Sequence, residues 1–314
     1  MKIGASATGV ALVLSLGVAL AGCSKFNEVR AMKAIKDAHK LYQANDWRAA
    51  AEKYEEALQL NPGAGDMYFY LGNAYDNMYR PTRKGEPNND SYLTKAIENY
   101  KLGSERAQTP VVKQRSLQYL VNAYGPEKLN DPTQAEPVVK AMIDLEPNEP
   151  TNYFVLADIY ADSGEYDLAE QTYLKAKEVR PNDPAVYMQL AGFYNNQGDF
   201  EKTIAAVTDR TKVEPNNPEA YQTLATYYWD KAYRDFRLSD KEKMEYVQSG
   251  LEAVDKAIQI KSDYMEAVAY KNLLLRLQAN LEKDPAKQQA LLREADQLRD
   301  KAEALRKQKA SGTQ

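Results

Sequence analysis

Residues 150–183 read PTNYFVLADIYADSGEYDLAEQTYLKAKEVRPND, and residues 184–217 read PAVYMQLAGFYNNQGDFEKTIAAVTDRTKVEPNN, two 34-residue segments laid end to end. Pro150, Pro184 and Pro218 each open a copy, and Tyr153/Tyr187/Tyr221, Leu156/Leu190/Leu224, Ala157/Ala191/Ala225 and Tyr160/Tyr194/Tyr228 follow in register. Gly164 and Gly198 fall between the two halves of their copies, where a turn needing positive φ costs a glycine little. The links Pro147-Asn148-Glu149-Pro150, Pro181-Asn182-Asp183-Pro184 and Pro215-Asn216-Asn217-Pro218 act as punctuation. The first proline stops one helix, Asp183 or Asn217 caps the next, and the second proline suits a first helical position. A 34-residue period of this composition is the signature of a helix-turn-helix repeat.

The pattern resembles the tetratricopeptide repeat (TPR) family over about residues 31–283. That resemblance implies an all-α fold, a right-handed superhelical solenoid of antiparallel helix pairs in about six to seven repeats. It also implies a protein-binding role, since stacked pairs offer an extended concave surface without built-in chemistry. Repeat one carries Ala34, Ala38, Leu41, Ala50, Tyr54 and Ala57, and repeat two carries Tyr68, Leu71, Gly72 and Tyr75. Repeat two then exceeds the family spacing by 12 residues within 76–90, and repeat three by two residues around Gly125 to Asp131. Repeat six has 13 extra residues, within 229–244. A degenerate last pair ends in residues 284–309, where Leu291, Ala295, Leu298, Ala302 and Leu305 form a stripe that reads as a capping helix or a short coiled-coil seam. Residues 310–314 read as a tail.

With 41 basic and 45 acidic residues and a formal charge of −4, nothing suggests the clustered basic face that nucleic acid requires. Cys23 and His39 are each the sole residue of their type, which excludes an intramolecular disulfide and a Cys/His zinc site. No partner residues near His39 complete a nucleophilic arrangement, and no spacing singles out a carboxylate pair. The expectation is a protein that is not an enzyme and holds no metal or cofactor.

Residues 1–22 read as an export signal, with Lys2 ahead of an apolar stretch from Val10 to Leu20. Leu20-Ala21-Gly22-Cys23 resembles the bacterial lipobox, which implies cleavage before Cys23, a diacylglycerol on its sulfur and further acylation of the new amino group. Two or three acyl chains hold a protein stably on a membrane. Ser24 after the cysteine implies the periplasmic face of the outer membrane. Losing Lys2 with residues 1–22 changes the formal charge from −4 to −5. The alternative reading is a small buried cysteine after an uncleaved anchor. Residues 23–30 then form a short tether, its seven residues from Ser24 to Arg30 reaching roughly 25 Å if extended.

Twelve tyrosines occupy packing columns and read as core: Tyr54, Tyr68, Tyr75, Tyr100, Tyr124, Tyr153, Tyr160, Tyr173, Tyr187, Tyr194, Tyr221 and Tyr228. In the TPR family the first helix of each repeat lines the inner groove. Carried over, its lining positions give Phe69, Asn73, Asn77, Arg115, Gln118, Asn122, Phe154, Asp158, Asp162, Met188, Asn195, Gln222 and Trp229. Amides offer donors and acceptors to an extended peptide whatever its side chains. Phe69 and Gln118 stand where the subfamily that clamps a chaperone carboxylate has lysine, so that reading falls. His39 shares the groove register and reads as solvent-exposed. The insertions, with Tyr79, Arg80, Arg83 and Lys84, and with Lys231, Tyr233, Arg234 and Arg237, offer a second surface of aromatics and positive charge, or are lengthened helices. Together these readings describe a lipid-anchored scaffold for an envelope protein or extended peptide. The alternative is a glycan or small-ligand carrier, which requires tyrosines outside the packing columns to line one wall.

Overall fold

The computed structural model describes residues 8–312, with side chains from residue 25 onward. The export-signal and lipidation expectations rest on the first seven residues and on side chains up to Ser24, Cys23 among them, and so lie outside what is described. Among the described residues there are fourteen α-helices and a single 3-10 turn. The chain divides into two compact units, 1–169 and 170–314.

The first unit holds α1 (Thr8–Gln43), α2 (Trp47–Leu60), α3 (Asp66–Met78), α4 (Pro87–Arg106), α5 (Pro110–Tyr124), α6 (Pro132–Leu145) and α7 (Pro150–Asp162). Each packs on the next, and α3 also packs on α5, so first helices of successive pairs meet directly. In the second unit, following α8 (Tyr166–Val179), come α9 (Pro184–Asn196), α10 (Phe200–Val213), α11 (Pro218–Arg234), α12 (Asp240–Ile260), α13 (Met265–Leu281) and α14 (Pro285–Ala310). There α11 packs on α13 in the same way, and α14 lies along α13 with Leu291, Ala295 and Leu298 in the shared core.

The punctuation does its work through specific bonds. Asp183 Oδ1 accepts from Ala185 N at 2.9 Å and Asn217 Oδ1 from Glu219 N at 3.0 Å, while Glu149 fills the same role for α7. The repeated tyrosines then close each link: Tyr153, Tyr187 and Tyr221 donate their hydroxyls to the carbonyls of Pro147, Pro181 and Pro215 at 2.9, 2.6 and 3.3 Å. Tyr160 and Tyr194 donate to Glu136 and Glu170 of the preceding second helix, each at 2.9 Å. A ring fills the gap between helices while its hydroxyl satisfies a carbonyl or carboxylate at the edge. All the column tyrosines are buried except Tyr221 and Tyr228, which are half-buried.

One expectation is corrected, and of the two readings of the insertions the structure shows lengthened helices. Residues 25–30 do not form an extended tether; they continue α1. A helix rises only about 1.5 Å per residue, so this stretch spans roughly 9 Å instead of the extended reach. The second insertion is mostly helix: α11 and α12 run to 17 and 21 residues, against 13 and 14 in α9 and α10. A capping box between Ser239 and Glu242 starts α12. The first insertion combines a lengthened α4 with a 3-10 turn at Pro81–Arg83.

Candidate functional site

On the first helices of unit one, the groove register splits between core and surface. Phe69 and Asn73 are buried, 4% and 6% exposed, so neither lines an open surface as expected. The cause is the direct contact of α3 with α5, which encloses a large ring between them. Phe69 lies edge-on to Tyr119 at 5.4 Å and to Tyr70 at 5.3 Å. Asn73 is a junction: Tyr42 donates its hydroxyl to Asn73 Oδ1, and Asn73 Nδ2 reaches the Tyr100 hydroxyl at 3.5 Å. Asn77 donates back to Asn73 Oδ1 at 2.9 Å, and Tyr100 donates to Asp76 at 3.2 Å. Asp76 also pairs with Lys128 from the loop before α6.

Around this junction stands a wall of rings. Tyr42, Tyr70 and Tyr119 are half-buried, and they join His39, Phe69 and Tyr54 through edge and stacked contacts of 4.9 to 6.3 Å. Trp47 closes one end, edge-on to Tyr42 at 5.0 Å. Sequence reading did not single out these tyrosines. The available signal was register, since Tyr70 and Tyr119 each follow a groove position, Phe69 and Gln118, and the same place holds Val155, Gln189 and Thr223 later. His39 is not solvent-exposed as expected; it is half-buried, and its Nδ1 lies 2.7 Å from the Tyr54 hydroxyl. Burial lowers its pKa below the ordinary histidine value. Burial, followed by the neighbouring Tyr119 and Tyr70, raises that of Tyr42.

Arg115, Gln118 and Asn122 are exposed on α5, and Asp158 and Asp162 are exposed on α7. Asn122, Asp158 and Asp162 converge on one cavity of about 670 Å³, walled by Val121, Val155 and Ile159 and closed by the loop from Gly125 to Asn130. Polar groups at the rim of a largely apolar pocket fix the orientation of whatever enters it. Phe154, on the same helix, is buried.

In unit two, Met188 is half-buried and Asn195 exposed on α9, while Gln222 donates to Thr226 Oγ1 at 2.8 Å. Trp229 stacks on Tyr233 at 4.9 Å and meets Tyr270 edge-on, with Phe236 87% exposed beyond them.

The positive charge expected of the insertions is largely neutralised within them. Lys231 and Arg237 both pair with Asp235, Arg234 with Asp230 and Arg83 with Glu86. Hydrogen bonds from the Arg237 guanidinium, from Lys231 and from the Arg237 backbone N hold the Asp235 carboxyl well below the ordinary carboxylate range. Arg80 bonds the carbonyls of Asn77 and Tyr79, and Lys84 that of Lys128. Among the described residues no three His, Cys, Asp or Glu side chains group as metal ligands.

Models of the tetratricopeptide repeat match residues 36–77 and 128–191. No curated protein matches the chain. Among solved structures, the C-terminal part of a TPR repeat-containing protein from Cytophaga hutchinsonii is similar over 84% of this chain and 95% of its own, at 15% identity and a TM-score of 0.54. A tetratricopeptide repeat protein from Parabacteroides merdae covers 84% of this chain and 98% of its own at 13% identity, with a TM-score of 0.45. YrrB, described as a TPR protein with an unusual peptide-binding site, covers 76% and 90% at 18% identity, with a TM-score of 0.40. At 15% identity the likeness to the Cytophaga protein is one of fold.

Proposed function

Because this chain belongs to the tetratricopeptide repeat family, a family of protein-protein interaction scaffolds, we propose that it is a non-catalytic adaptor. It binds a segment of a partner protein on the first-helix face of unit one. The observation that carries this reading is the cavity where Asn122, Asp158 and Asp162 converge over apolar walls. The apolar floor takes a side chain, the carboxylates favour a neutral or basic segment, and the Asn122 amide can serve peptide groups of any sequence. Anchoring at Cys23 and residence in the bacterial envelope, on the periplasmic face of the outer membrane, form the second half of the proposal, supported by the Leu20-Ala21-Gly22-Cys23 sequence.

Photo-crosslinkers placed at Asn122 and Asp162 in intact cells test the site, with Arg83 and Phe236 as reference positions. Capture of one protein at the cavity positions is the expected result. Capture confined to the reference positions would move the interface to the insertions.

The ring wall gives the carrier reading a specific observation: Tyr42, Tyr70 and Tyr119 lie outside the packing columns and share one face with His39. Half-exposed rings of this kind suit stacking against a sugar face. Trp47, beside Tyr42, is the natural reporter. A saturable change in tryptophan emission on adding soluble oligosaccharide, lost in Tyr70→Ala, would favour the carrier over the scaffold; no change is expected if a protein segment is the ligand.

A further inference from the structure

The middle turns of α1 carry a face that the fold leaves uncovered. Ala31, Ala34 and Ala38 point into the core, 1%, 4% and 0% exposed, whereas Phe26, Val29 and Met32 on the opposite side are 64%, 60% and 57% exposed. A spacing of three residues sets these large side chains along one strip of the helix. Cations share this face of the helix. Lys25, Arg30, Lys33, Lys36 and Lys40 are all exposed, and residues 25–40 contain only Glu28 and Asp37 as acids, within a chain whose formal charge is −4. None of the five forms an ion pair among the described residues; Arg30 lies over the Phe26 ring at 5.9 Å, and Glu56 of α2, though near Arg30 and Lys33, is bonded to Lys53. The strip continues the helix whose preceding sequence is the apolar run Val10 to Leu20.

An exposed apolar strip interspersed with lysines, whose long stems can carry their ammonium groups up among headgroups, following an apolar run, has the composition of a helix lying at a lipid interface. A protein partner would leave the local excess of positive charge unexplained, whereas anionic lipid headgroups answer it; each basic residue near such a surface strengthens binding about five-fold. We propose that the turns of α1 from Lys25 to Lys36 lie in the interface of an anionic bilayer. Phe26, Val29 and Met32 enter the boundary between headgroups and acyl chains, and Lys25, Lys33 and Lys36 sit among the phosphates. The proposal rests on the membrane-anchored reading and extends it: the first unit is held against the membrane by its own first helix and does not swing on a tether.

The test uses the full chain, isolated from bacterial membranes, with Val29→Cys labelled by an environment-sensitive fluorophore. It is reconstituted in phosphatidylethanolamine vesicles containing about a quarter phosphatidylglycerol. Expected are a blue-shifted emission quenched by lipid-borne nitroxide, and loss of both in the Lys25→Glu/Lys33→Glu/Lys36→Glu variant at an unchanged vesicle-bound fraction. Gln134→Cys, exposed on α6, should keep a water-like emission in both. A water-like emission at position 29 in fully vesicle-bound protein overturns the interfacial helix and leaves the anchor standing. A blue shift already present without vesicles, and dependent on protein concentration, overturns it in favour of a second copy. If the Cys23 thiol also takes the label, the anchor reading fails; Cys23→Ala combined with Val29→Cys then carries the label at position 29 alone, where a quenched blue shift upholds the interfacial helix and a water-like emission in the presence of excess vesicles overturns it.

Discussion

His39, Asn73 and Asn122 hold one register position in three successive repeats, yet they meet three environments. His39 is half-buried against Tyr54, Asn73 is enclosed as the junction of a hydrogen-bond network, and Asn122 is exposed at a cavity rim. An amide suits the middle position because it donates and accepts at once, answering Tyr42, Tyr100 and Asn77 together. The histidine gives the chain a single titrating group near neutral pH. Its pKa is lowered by burial, so the folded state binds the proton less readily than the unfolded chain does. The stability this contributes is fully present above about pH 6.5 and is lost as pH falls through the lower, folded-state pKa. In the tautomer whose Nδ1 accepts from the Tyr54 hydroxyl, protonation also turns that acceptor into a donor. Denaturation midpoints measured from pH 7 to about pH 5 should fall in the native chain, and His39→Gln should flatten that slope. An equal slope in the variant would assign the titration elsewhere.

At the scale of elements, the turns between paired helices recur with the period. Asn130, Gly164 and Gly198 are spaced by 34 residues and all have positive φ, 57°, 78° and 74°. Glu165 N and Asp199 N bond back to the carbonyls of Tyr160 and Tyr194 across the two glycine turns. Gly198→Ala should therefore cost roughly 1–2 kcal/mol in chemical denaturation, the penalty of a left-handed backbone for a residue with a Cβ. Gly192, inside α9 with open space around its Cβ direction, behaves oppositely: Gly192→Ala should stabilise by up to about 1 kcal/mol. Equal effects at the two sites would mean that backbone conformation is not what the turn glycine supplies. The insertions follow different rules. The twelve extra residues of one and the thirteen of the other fold largely into lengthened helices, and Lys231, Arg234 and Arg80 find a carboxylate or carbonyl three or four residues away. A charge read singly along the chain looks available; on a helix its neighbour one turn on decides.

At the scale of the molecule, the proposed role joins a binding face in unit one to a membrane attachment at the chain's start. Cys23 is the only thiol, so the attachment has a single-residue test. Cells fed a labelled fatty acid should incorporate it into the native protein and not into Cys23→Ala; unchanged incorporation would sink the lipid anchor. The sequence alone determined the helix pairs, their prolines and caps, and the buried tyrosine columns, because these depend on contacts that repeat every 34 residues and are therefore written as a period. The groove was only partly legible. Which register positions close over, as Phe69 and Asn73 do, and which stay open, as Asn122 and Asp162 do, depends on how closely neighbouring first helices approach. The convergence of Tyr42, Tyr70 and Tyr119, and the uncovered strip of Phe26, Val29 and Met32, were decided only by the tertiary structure. Periodicity specifies what each repeat shares, and packing between helices far apart in sequence determines which of the unshared residues face solvent.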